Sequence, residues 1–163
     1  MSIPYKSEPG EPPYVAAMNE IAPLDVATAL TTVTDHWTPR VVAQVNDQYV
    51  KVAKLLGELV WHAHEAEDEL FLVVSGNLRI QLEGDREVRL GPGQLFVVPK
   101  GVRHNPIAER EVELVLIETV TTAHTGGVAH ERSVSIEDQL LPGAGEETVI
   151  PAREVSPGRT ASR

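Results

Sequence analysis

The stretch WHAHEAEDELFLVVSG, from Trp61 to Gly76, decides how the rest of the chain is read. Its second half holds ELFLVV (Glu69–Val74), closed by Ser75-Gly76-Asn77. A short run rich in β-branched and aromatic residues that ends in turn residues is a strand signal. Its first half completes ELVWHAH (Glu58–His64), with His62 and His64 at i and i+2. In a strand, period two puts both imidazoles on one face, about 7 Å apart. If Glu65–Asp68 is the hairpin turn, Glu69 opens the return strand and faces the same way. Two imidazoles and a carboxylate then converge from adjacent strands, the two-histidine-one-carboxylate arrangement of divalent metal sites. Imidazole offers a neutral lone pair, and the carboxylate offsets part of the metal's charge. Taken alone, the histidine pair also reads as a surface pair, and the acidic run Glu65–Glu69 as a solvated turn.

Outward from this stretch the same grammar repeats. RVVAQV (Arg40–Val45), the Val- and Leu-rich run Gln48–Leu56, LRIQL (Leu78–Leu82), EVRL (Glu87–Leu90), QLFVV (Gln94–Val98) and EVELVLIET (Glu111–Thr119) all read as strands. Asn46-Asp47, Glu83-Gly84-Asp85 and Gly91-Pro92-Gly93 punctuate them. Turn signals near every ten residues between alternating apolar runs predict an all-β sandwich or barrel. Gly76, Gly84 and Gly93 fall where strands reverse and positive φ is expected. No helical period survives the Gly and Pro punctuation.

Three segments follow. Residues 1–36 form an N-terminal arm, held extended by Pro4, Pro9, Pro12 and Pro13. The arm leads into LDVATALTTV (Leu24–Val33), whose apolar spacing suits a short helix. Residues 37–119 are the ordered body. Residues 120–163 read as a partly irregular extension with room for one more strand, expected to be mobile or laid over a partner subunit.

The 163 residues are one domain's worth. Fourteen Lys and Arg against 24 Asp and Glu give a net charge of −10, without any basic cluster. Nucleic acid and anionic membranes are therefore poor partners. With no cysteine, disulfides and thiolate metal sites are excluded. No apolar run approaches a spanning helix and the start MSIPYKSEPGEPP carries no secretory pattern, so the expected compartment is the cytoplasm.

Around the histidine pair the spacing becomes specific. Gly57, four residues, His62-Ala63-His64, four residues, Glu69, six residues and Gly76 form one pattern. Gly93, five residues, Pro99-Lys100-Gly101, two residues and His104 form a second. Together they closely resemble the two barrel motifs of the cupin superfamily, across residues 40–119. Two departures stand out: Gly57 is one residue nearer its histidine than is usual, and Ala108 stands where an Asn is usual. The resemblance implies a double-stranded β-helix, or small jelly roll, of six or more strands. It implies one divalent metal per chain held by His62, His64, Glu69 and His104. Such a ligand set leaves two open octahedral positions and suits Fe, Mn, Ni, Co or Cu, or Zn at lower coordination.

Residues expected to wall the site are Val60, Phe71, Val73, Phe96, Val98, Val102 and Pro106. Lys54, Arg79 and Arg103 read as strand residues facing water, Trp61 as outward-facing, and His36, His124 and His130 as exposed loop histidines. Small cupins similar to this chain include dioxygenases and proteins labelled mannose-6-phosphate-isomerase-like or RmlC-like. The expected function is therefore metal-dependent chemistry on a small organic molecule, with no catalytic group identified beyond the ligands. A non-catalytic ligand-binding or sensing module and a metal that merely staples the barrel are the alternatives. A homodimer is expected from the resemblance and from the open edges of such a sheet.

Overall fold

Hydrophobic alternation builds seven strands among residues 23–140, the part of the chain that the structure, a computed structural model, describes. They are β1 (Arg40–Val45), β2 (Gln48–Glu58), β3 (Glu69–Ser75), β4 (Leu78–Leu82), β5 (Arg86–Leu90), β6 (Leu95–Val98) and β7 (His104–Thr119). Two short helices flank them, α1 (Val26–Thr31) and α2 (Ile136–Leu140). The expected arm from Pro4 to Pro13 and the tail around Pro142, Pro151 and Pro157 lie outside the described residues.

All pairings are antiparallel, in the order β1-β2-β7-β3-β6, with β4 on the first part of β7 and β5 beyond it. β7 is the spine. Its last half pairs with β3 and its first four residues with β4, while β2 follows it along the other side. The sheet folds over where the β2–β7 register shifts between Leu55 and Gly57, and Gly57 takes φ +81° there. The result is the expected all-β jelly-roll barrel of the double-stranded β-helix kind.

Much of the barrel interior is apolar, with Ala53, Leu55, Phe71, Val73, Leu78, Ile80, Leu82, Val98, Leu114 and Leu116 buried together. A second cluster lies outside the sheet, where Ala29, Leu30 and Val33 cover Val52 and Val115. Helix α1 is thus a cover for one sheet face, begun by Asp25, whose side chain accepts from Thr28 N at 2.7 Å. It lies inside the expected Leu24–Val33 span.

The structure corrects several expectations. Glu58–His64 is not a strand: β2 ends at Glu58, and beyond it only His62 bridges to His104. Leu59 N donates to Pro106 O at 3.3 Å, but proline has no N–H to return the bond, so the ladder thins there. The last strand begins at His104, seven residues earlier than expected, because the charged run Glu109-Arg110-Glu111 is an exposed stretch within β7. Residues 120–140 hold turns and α2, with no further strand among the described residues.

Candidate metal centre

Each candidate ligand is placed by a different device. Glu69 opens β3 and points inward with Phe71 and Val73. His104 opens β7, and His62 lies across from it, joined by His62 N to His104 O at 3.0 Å and His104 N to His62 O at 2.8 Å. His64 shares the face of His62, two residues on, and its carbonyl accepts from Gly101 N at 2.7 Å. The Gly101 turn, at φ +76°, therefore ties the second motif to the first. Lys100 N adds a bond to Asp68 Oδ1 at 2.8 Å.

The four side chains come together as the spacing implied. All are buried, from 0% exposure at His104 to 5% at Glu69. One ligand atom from each lies within 4.8 Å of the others. Glu69 Oε2 is 3.2 Å from His64 Nε2 and 3.0 Å from His104 Nε2. Ligands about 2.1 Å from a shared ion stand about 3 Å apart when adjacent in an octahedron, so these are ligand-edge distances.

The ring orientations are fixed from behind. His62 Nδ1 is 2.9 Å from Val60 O, and His104 Nδ1 is 3.1 Å from Val102 O. A carbonyl only accepts, so each Nδ1 carries a proton, and Nε2 is the ring atom turned to the centre. The donor set thus fits a divalent transition ion on its own chemistry: three imidazoles and one carboxylate turned to a common centre.

Electrostatics agree with this. Burial, then the neighbouring His104, pull His62 down to about 4, so it is neutral at ordinary pH. Burial would lower His64 as well, but the hydrogen bond and charge of Glu69 outweigh it and raise the group. Burial works against ionised Glu69, yet its bonds to His104 and His64 hold it well below the usual carboxylate range. Glu69 thus favours a proton on His64 when no metal is bound.

The surroundings hold groups that the sequence reading overlooked. Lys51 and Glu118 are buried inside the barrel and paired at 2.6 Å. Burial, then the charge of Glu69, push Glu118 upward, and Lys51 pulls it back. His124 was expected on an exposed loop. Instead it is part-buried on the segment after β7, accepts from Val134 N, and is held down to about 4 chiefly by burial. That segment straps across the first motif. Thr121 Oγ1 donates to Glu67 at 3.1 Å and Arg132 Nη1 to Glu58 O at 2.6 Å. Gly126 packs so closely that an added Cβ would collide with the Ala63 carbonyl.

Other expectations hold. Phe71, Val73 and Val98 are core residues, with Val60, Phe96 and Val102 packed against them. Lys54 pairs with Glu113, and Arg79 with Glu87 and Glu109, at the surface. Arg103 is exposed, and Trp61 is 36% exposed. His36 is held by Glu111 at 2.8 Å. No helix among the described residues is long and apolar enough to cross a membrane.

Comparison with known proteins gives a consistent picture. Residues 50–120 match the Cupin domain family. YdbB, an uncharacterised Bacillus subtilis protein, is 31% identical over 87 residues, spanning 47% of this chain and 77% of the relative. Acireductone dioxygenase of the same organism is 28% identical over 85 residues, 50% of this chain and 48% of that protein. A cupin-2 domain protein from Shewanella frigidimarina superposes with a TM-score of 0.57 at 38% identity, over 59% of this chain and 93% of that one.

Proposed function

Because the chain belongs to the cupin superfamily, we propose that it is a metalloenzyme that uses one divalent transition metal to act on a small organic molecule, by dioxygenase- or isomerase-like chemistry. His62, His64, Glu69 and His104 are the proposed ligands. The observation that carries the reading is the set of four buried donors within 4.8 Å. Its two barrel-paired histidines have Nδ1 tied to carbonyls. A bound ion would act as a Lewis acid on an oxygen of the substrate. The chain's own residues do the rest. Val60 and Val102 carbonyls fix the tautomers, Glu69 neutralises charge, and Phe71, Val73 and Val98 form a dry wall. The likeness to acireductone dioxygenase supports the reading at the level of reaction class.

The test is elemental analysis of untagged protein beside Glu69→Ala and His104→Ala. Near-stoichiometric metal in the wild type, lost in both variants, is expected. Metal retained in both, or none taken up by the wild type on adding divalent ions, overturns the reading and leaves metal-free ligand binding in its place. The proposed frame is a barrel over residues 37–119 with extensions on either side, working in the cytoplasm as a homodimer. Exposed Leu95 and Val97 on the edge strand β6 support that assembly, and sedimentation of the purified protein tests it.

A further inference from the structure

Metal ligation leaves one pair of charges inside the barrel without a task. Lys51 Nζ donates to Glu118 Oε1 at 2.6 Å, with the two side chains 1% and 2% exposed. Apolar groups of equal volume commonly replace such a pair at no loss of stability, so the fold does not call for it. Glu118 Oε2 has no hydrogen-bond partner among the described residues. A buried acceptor without a donor is costly. Its place is informative. The β3–β7 ladder pairs Leu70 with Ile117, and one step further sets Glu118 directly across from Glu69. Such neighbours stand about 5 Å apart at Cβ.

We propose that Glu118 recognises the small molecule held at the metal centre, its free oxygen accepting a hydrogen bond from a hydroxyl of that molecule. Lys51 is the positioning residue, holding the other oxygen. The proposal rests on the metal-centre reading and narrows its substrate class. The free group is an acceptor beside a second carboxylate, so carboxylates and phosphates are repelled from it. A neutral molecule with a hydroxyl next to a second, metal-reaching oxygen fits.

The test uses hydroxyacetone and methoxyacetone, which differ by one O–H, titrated at pH 8 against the visible spectrum of the Co(II)-loaded protein. In Glu118→Gln, Lys51 still requires an acceptor, so it holds the amide oxygen and turns the NH2 toward the ligand. Wild type is expected to favour hydroxyacetone by about tenfold or more. Glu118→Gln should lose that preference with its Co(II) content unchanged. The apolar double variant Lys51→Met, Glu118→Leu should also fold, keep Co(II) and show no preference. A preference that survives both variants, as when Oε2 serves only an internal water, overturns the proposal, and so does its absence in wild type. Loss of Co(II) from Glu118→Gln alone assigns Glu118 to supporting the metal and also overturns it. Failure of wild type to take up Co(II) marks the failure of the metal-centre reading itself, and this proposal falls with it.

Discussion

At His62 and His104 one device recurs: the ring N–H is given to the carbonyl two residues back, and the other nitrogen is offered forward. Both rings are pre-oriented, so a proton would be the main competitor of a bound metal. His64, raised by Glu69, is where that competition falls. Metal affinity should weaken as pH drops through the imidazole range, and an affinity flat between about 5 and 7.5 would contradict histidine ligation. Glycines separate by what surrounds them. Both Gly76 and Gly93 have positive φ, but a Cβ on Gly76 would meet Glu111 O at 2.6 Å, whereas Gly93 has nothing within 4 Å. Gly93→Ala should cost about 1 kcal/mol and Gly76→Ala clearly more, as read by urea denaturation. The four clustered donors were legible in the sequence because His, His, Glu and His sit at motif spacing. Lys51 was not, because β2 is buried on both faces: Tyr49, Lys51 and Ala53 face the barrel, and Val50 and Val52 the α1 side. When both faces are apolar, alternation does not reveal which polar residue points inward.

Among the elements, α1 and the strap after β7 are the most telling. Leu30, 1% exposed on the buried face of α1, should cost about 2–5 kcal/mol when cut to Ala, and a loss below about 1 kcal/mol would mean that α1 is no real cover. Arg132 fastens the strap to Glu58 O and lies over the Trp37 ring at 5.9 Å. Arg132→Ala should therefore speed hydrogen exchange at Ala63 and His64 and quicken metal release to a chelator, with little change in global stability. Most strands were readable from alternation, but Glu58–His64 was misread as one, and the strand ends were not readable. A proline without its N–H cut short the ladder beyond Glu58, and a charged patch within β7 hid half of that strand. His124 was misplaced because nothing local says that a Gly- and Thr-rich loop will fold back over the barrel.

For the molecule as a whole, buried neutral histidines set the acid limit. His62 and His124 are held near 4 when folded, against about 6.5 in an unfolded chain. Between those values the unfolded state binds more protons, so stability falls as pH drops through that window. Raised Glu118 and raised His64 work the other way, each gaining stability as pH falls through its folded value. Raised His64 contributes in acid and loses its effect as pH rises through its folded value. Lowered Glu69 contributes above the ordinary carboxylate range and is lost only below it. Metal-free His124→Gln should thus lose less stability than the wild type between about pH 6.5 and pH 5, and an unchanged difference in urea midpoints would refute this. The long β2–β7 pairing has a kinetic corollary. It joins Gln48 to Thr119 and Glu58 to Ile107, a closure of large loop entropy and slow search. His62 and His104 become neighbours only once that closure is made, so the donor set does not exist in the nascent chain. A bound ion would then be a latch, not a template: adding it during refolding should leave the folding rate unchanged and slow only the escape from the native state.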